Sequence, residues 1–95
     1  MSVKQAYEKK MQAQLDEWSA EIKKLKAKAE YAEADVEIKY HKQIEELQAM
    51  QKAASEKLTN LKDAGDDAWE ELKVGIENSC DSLGSTLKSV SSKFR

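Results

Sequence analysis

The sequence contains no proline, three glycines, one cysteine and one histidine. Because proline and glycine make most tight turns, and a compact globular domain needs turns, their scarcity before residue 60 argues against such a domain. A single cysteine excludes a disulfide within the chain. No apolar run approaches the ~20 residues that cross a bilayer, and the N-terminus lacks the apolar segment of a secretory signal. We therefore expect a cytoplasmic protein.

Motifs that carry chemistry are also missing. There is no glycine-rich phosphate loop, no Ser/His/Asp set and no CxxC pair. His41 has Glu37 and Glu45 four residues to either side, but a metal site needs more ligands, so we interpret this trio as solvated helix surface. We expect a non-enzymatic protein with no catalytic residue, no cofactor and no bound metal.

Charge is abundant and balanced. Charged residues make up 36% of the chain and apolar residues 40%, with a formal net charge of −2. No basic region stands out, which argues against nucleic acid as a partner. High charge combined with helical periodicity is typical of long helices and coiled coils.

The organising pattern is a seam of apolar residues that runs from Val3 to Phe94 in steps of three or four. Its 25 steps cover 91 residues, an average of about 3.6, which is the period of an α-helix. We expect this seam to bury itself by packing against other helices. Its main predicted positions are Leu15, Trp18, Ile22, Leu25, Val36, Ile44, Leu47, Leu58, Leu61, Trp69, Leu72, Ile76, Leu83 and Leu87.

One break stands out around Gly65. Glycine suits the left-handed position that follows a helix. Asp66 or Asp67 can then cap the next helix, and Asp67 with Glu70 has the spacing of a capping box. The seam nevertheless keeps its phase through Gly65, so an unbroken helix is the alternative.

The predicted fold is all-α, with one domain over residues 1–95. Ser2 is placed to cap a long helix over about 2–63, a break follows at about 64–67, and a shorter helix covers about 67–92. The two helices form an antiparallel hairpin, or coiled coil, that assembles into an oligomeric bundle. The alternative is one continuous helix of about 90 residues in a coiled coil.

Oligomerisation follows from the unequal lengths of these helices. The shorter one can cover only the C-terminal half of the longer one, which leaves the seam from Val3 to Val36 for another subunit. We expect a homo-dimer or homo-tetramer, or pairing with another helical protein. Cys80 lies on the seam and is interpreted as a small packing residue, with an intersubunit disulfide or a redox sensor as alternatives.

The last part of the chain supports a second functional hypothesis. From Ile76 to Phe94 the apolar stripe persists while the polar face becomes serine-rich and ends in lysines. Such an amphipathic helix can bind a membrane or a hydrophobic granule surface. Packing within the oligomer is the other interpretation.

The segment Asp67-Ala-Trp-Glu-Glu-Leu-Lys-Val-Gly75, together with Ile44-Glu-Glu-Leu47, resembles a group of small bacterial coiled-coil proteins. Some of these are described as stress-response proteins of cyanobacterial type. The resemblance implies a small stress-associated protein and no catalytic residue. The resulting hypothesis is a non-enzymatic protein that self-associates or acts as a scaffold through its seam.

Overall fold

The computed structural model describes residues 2–93, which form three α-helices and, over that range, no β-strand. Helix α1 spans Val3–Glu30, α2 spans Ala34–Asp63 and α3 spans Trp69–Lys93. The prediction of an all-α fold is confirmed. Phe94, the last predicted seam position, lies outside the described residues.

Helix α1 begins at a reciprocal cap. The Ser2 Oγ accepts a hydrogen bond from the Gln5 backbone N–H at 3.2 Å, and the Gln5 Oε1 accepts one from the Ser2 N–H at 3.1 Å. Two donors at the helix start are thereby satisfied. Ser2 is the N-cap, as the sequence predicted.

The predicted helix over 2–63 is two helices in the structure, and the continuous 90-residue helix is also wrong. The chain turns at residues 31–33, where the Tyr31 N–H still reaches the Ala27 carbonyl but the Ala32 N–H bonds Ala29. The local sequence offers no glycine or proline for this turn. Tertiary burial decides it, because folding α1 back onto α2 buries side chains worth roughly 1.5–3 kcal/mol each.

The second turn lies where the sequence predicted a break, but its geometry differs. Ala64 ends α2 with φ −76° and ψ 149°, an extended conformation, and no residue from 2 to 93 has a positive φ. Gly65 is therefore not left-handed. Helix α3 begins at Trp69 rather than 67, and within the described chain neither Asp66 nor Asp67 caps it through a side-chain hydrogen bond. The predicted Asp67–Glu70 capping box is wrong, although Glu70 lies in the first turn of α3.

The helices run up, down and up again. The Lys4 Nζ donates to the Lys62 carbonyl at 3.0 Å, and the Tyr40 hydroxyl donates to the Lys93 carbonyl at 3.3 Å. Helix α2 packs against both neighbours, whereas α1 and α3 contact each other much less. The bundle measures 51 × 19 × 18 Å.

The core is wholly apolar over the described residues, where no polar or charged side chain is buried. One cluster runs along the bundle, and a smaller one joins Ala29, Tyr40 and Ile44 beside the α1–α2 turn. The N-terminal half of the seam thus packs against helices of its own chain. A second copy is not needed to bury it.

Candidate functional site

Most of the predicted seam lies in this core. Eleven of the fourteen predicted positions are buried, and Trp18 is partly buried against the same cluster. The closed bundle therefore hides the surface that was predicted to bind partners. The eleven are Leu15, Ile22, Leu25, Ile44, Leu47, Leu58, Leu61, Trp69, Ile76, Leu83 and Leu87.

Two predicted positions are not in the core. Leu72 is 39% exposed, because the buried stripe of α3 passes from Trp69 through the half-buried Lys73 to Ile76. Val36 is 36% exposed and lies one helical turn beyond Tyr40, towards the α1–α2 turn. Leu72 therefore lies one position off the buried face of α3, whereas Val36 shares the face of Tyr40 and Ile44 but lies beyond the end of their buried cluster.

An aromatic cluster closes the end of the bundle where α3 begins. The rings of Tyr7 and Trp69 are 5.8 Å apart, and the Lys73 Nζ lies 5.1 Å from the centre of the Tyr7 ring. The Tyr7 hydroxyl donates to the Glu77 Oε1 at 3.4 Å. Desolvation, with the nearby Glu77 carboxylate as the next cause, raises the pKa of Tyr7 to about 12. Trp69 is thus a packing residue at the end of the helical array.

The opposite end carries exposed apolar side chains that sequence reasoning missed. Tyr31 is 93% exposed and Ile38 is 74% exposed. The change from lysines before residue 30 to Asp35 and Glu37 after it matches a helix end followed by a helix start, so this charge pattern was the available signal. The end of the bundle at the α1–α2 turn therefore carries exposed apolar side chains, Tyr31 and Ile38 among them.

Cys80 is buried in α3 and has no disulfide partner. Burial, and then the neighbouring carboxylates Asp81 and Glu77, raise the pKa of its thiol. A thiol held in its protonated form is a poor nucleophile. In the three-helix bundle Cys80 is a packing residue. An intersubunit disulfide would require the helices to separate.

Polar chemistry is sparse elsewhere. The His41 Nε2 lies 3.0 Å from the Glu45 Oε1 on an exposed face, and residues 2–93 contain no cluster of three metal-ligating side chains. No helix in that range is long and apolar enough to span a membrane. The absence of a metal, a cofactor and an enzymatic activity remains a prediction.

Comparison with protein-family models, with curated proteins and with solved structures found no match for this chain.

Proposed function

We propose that this chain is a non-catalytic protein that self-associates by straightening its α1–α2 turn. Helices α1 and α2 then join into one helix over residues 3–63, and α1 packs on α2 and α3 of a second copy. The observation that carries the proposal is the turn at 31–33, which consists only of Tyr, Ala and Glu. Alanine and glutamate are among the best helix formers.

The turn is weakly fixed in its bent form. Glu33 at the start of α2 makes no side-chain cap, in contrast to the reciprocal cap at Ser2. Tyr31 projects into solvent and contributes little packing. Little stabilisation is therefore lost when residues 31–33 adopt helical geometry.

In the proposed dimer the two chains exchange their α1 helices, and this exchanged form retains the core. Each contact that α1 makes with α2 and α3 in one chain is made again between two chains, which is the principle of domain swapping. The two forms differ mainly at the hinge, where two straight helices now run side by side. Val36 and Ile38, which are exposed in the bundle, lie beside this new contact. Their burial favours the dimer.

Solution mass and shape test the proposal together. We expect light scattering at rising protein concentration to detect twice the mass of one chain. Small-angle X-ray scattering of that species should give a longest dimension of about 92 Å, the length of a 61-residue helix at 1.5 Å per residue. A single chain near 51 Å under all conditions, including refolding at high concentration, refutes it.

A membrane or granule surface is the second candidate, and the wholly apolar core favours it. Helices whose fully buried residues are apolar or aromatic can transfer those faces to a lipid surface with few polar groups to re-satisfy, and in the described chain these include the Gln43 Oε1 and the Tyr40 hydroxyl. Co-flotation with vesicles and a concurrent loss of helix–helix packing would support this candidate. The stress-related role implied by the resemblance remains a prediction.

A further inference from the structure

A groove of about 540 Å³ runs between the C-terminal halves of α1 and α3, the two helices that contact each other least. Its floor is apolar, formed by Trp18, Leu25 and Leu87. Ligand pockets in proteins commonly fall between about 300 and 1,000 Å³. The groove therefore has the volume and the apolar floor of a small-molecule site.

Gly84 makes room for the indole that forms part of this floor. A Cβ at residue 84 would lie 2.9 Å from the Trp18 Cζ2, closer than such contacts normally come. At Gly75, in the same helix, an added Cβ would meet nothing within 4 Å. Gly84 thus allows the close approach of Trp18, and Gly75 provides a matched control.

The walls of the groove are cationic. Lys24 and Lys28 come from α1 and Lys88 from α3, while Glu21 is the one carboxylate in the lining. Across residues 2–93 none of the three lysines forms a salt bridge or a hydrogen bond. Lys24 and Lys28 are four residues apart on one helix, a spacing at which like charges repel. A bound anion relieves that repulsion.

We propose that this groove binds a small organic anion that has an apolar body and a phosphate or carboxylate head. The body lies on Trp18, Leu25 and Leu87, and the head lies among the three lysines. The inference does not depend on exchange between chains, because all of these residues come together in the closed single chain.

Calorimetric titration with octyl phosphate, kept below its micelle concentration, tests the site directly. Octyl glucoside has the same tail without the charge, and inorganic phosphate has the charge without the tail. We expect octyl phosphate to bind more tightly than either. Equal binding of octyl glucoside, or no binding of octyl phosphate, overturns the proposal.

Two sets of variants locate the site. The triple variant Lys24→Gln, Lys28→Gln and Lys88→Gln should bind octyl phosphate about tenfold more weakly, since each exposed charge contact contributes modestly. A control triple at Lys23, Lys26 and Lys52 removes the same charge outside the groove and should bind normally. Equal loss in both triples overturns the proposal.

The glycine pair provides an independent check on the floor. Gly84→Ala should weaken binding because Trp18 must shift, whereas Gly75→Ala should not. If the two glycine variants bind alike, the floor is misassigned and the proposal fails.

Vesicles identify the source of the anion. Binding to phosphatidylglycerol vesicles but not phosphatidylcholine vesicles assigns the head to a lipid. Binding of octyl phosphate alone assigns it to a free metabolite. Either result supports the groove.

Discussion

Replacing Glu33 by proline should affect the two conformations of the α1–α2 turn differently: the bent turn of the single chain and the straight helix of the proposed dimer. Glu33 has φ −59° and ψ 151°, and proline is fixed near φ −65°, so the bent form accepts it. The Glu33 N–H donates no hydrogen bond in the described structure. Ala32, whose conformation proline also restricts, already lies outside both helices. The closed bundle should therefore retain its stability or gain about 0.4–1 kcal/mol.

The same substitution should destabilise the straight helix of the proposed dimer. Proline inside a helix costs about 3 kcal/mol or more, because it removes a hydrogen bond and clashes with the preceding turn. An exchanged dimer contains two such sites, so its free energy of formation should worsen by about 6 kcal/mol. That corresponds to a dissociation constant weakened by roughly 10⁴-fold.

The assay is light scattering on samples refolded at a series of concentrations, with thermal unfolding of the same samples. Glu33→Ala is the matched control, since it removes the same charge but keeps a strong helix former. We expect Glu33→Ala to dimerise at least as well as the natural chain and Glu33→Pro to remain a single chain. Equal dimerisation of the two variants would refute the proposal that residues 31–33 become helical in the dimer. A markedly lower melting temperature for Glu33→Pro would show that proline does not fit the bent turn.

The remaining predictions concern the closed bundle. Leu47→Ala removes a side chain with no solvent exposure and should cost about 2.7–5 kcal/mol of unfolding free energy in a denaturant titration, whereas Leu72→Ala at an exposed position should cost far less. Because the folded-state pKa of Tyr7 is raised from 10.0 to about 12, the stability it contributes is complete below pH 10 and is lost as the pH rises through 12. Tyr7→Phe should remove that alkaline loss, and an unchanged pH profile would contradict the assignment. The Cys80 thiol should react with a thiol reagent far more slowly in the native chain than in denaturant, and reaction at the rate of a free thiol would show that α3 is not packed as described.

Sequence periodicity predicted the helical class and most of the core because burial in a helix follows the 3.6-residue period. The turn at 64–68 could be predicted because the extended break coincides with a glycine and a cluster of acidic residues. The turn at 31–33 could not be predicted from turn chemistry, because it contains no glycine or proline and its alanine and glutamate favour a helix. Only the free energy of packing α1 against α2 bends the chain there, and that term is tertiary.

The exposure of Leu72 has a local origin. A seam drawn through a continuous helix assigns Leu72 to the core, but α3 begins at Trp69, and its first turn buries Trp69 and part of Lys73 instead. Lys73 is half-buried in that turn, with its Nζ 5.9 Å from the centre of the Trp69 ring. From Ile76 onward the predicted positions Ile76, Leu83 and Leu87 are buried, so the misassignment is confined to the first turn of α3.

The central position of α2 has a kinetic consequence. Because α2 packs against both neighbours, α1 cannot leave it without exposing most of the core, so the barrier to exchange approaches the barrier to unfolding. Single chains and exchanged pairs should then interconvert slowly at ambient temperature. The ratio of single chains to exchanged pairs in a sample should therefore depend on the concentration and temperature at which the chains last folded, and not on the conditions of the measurement.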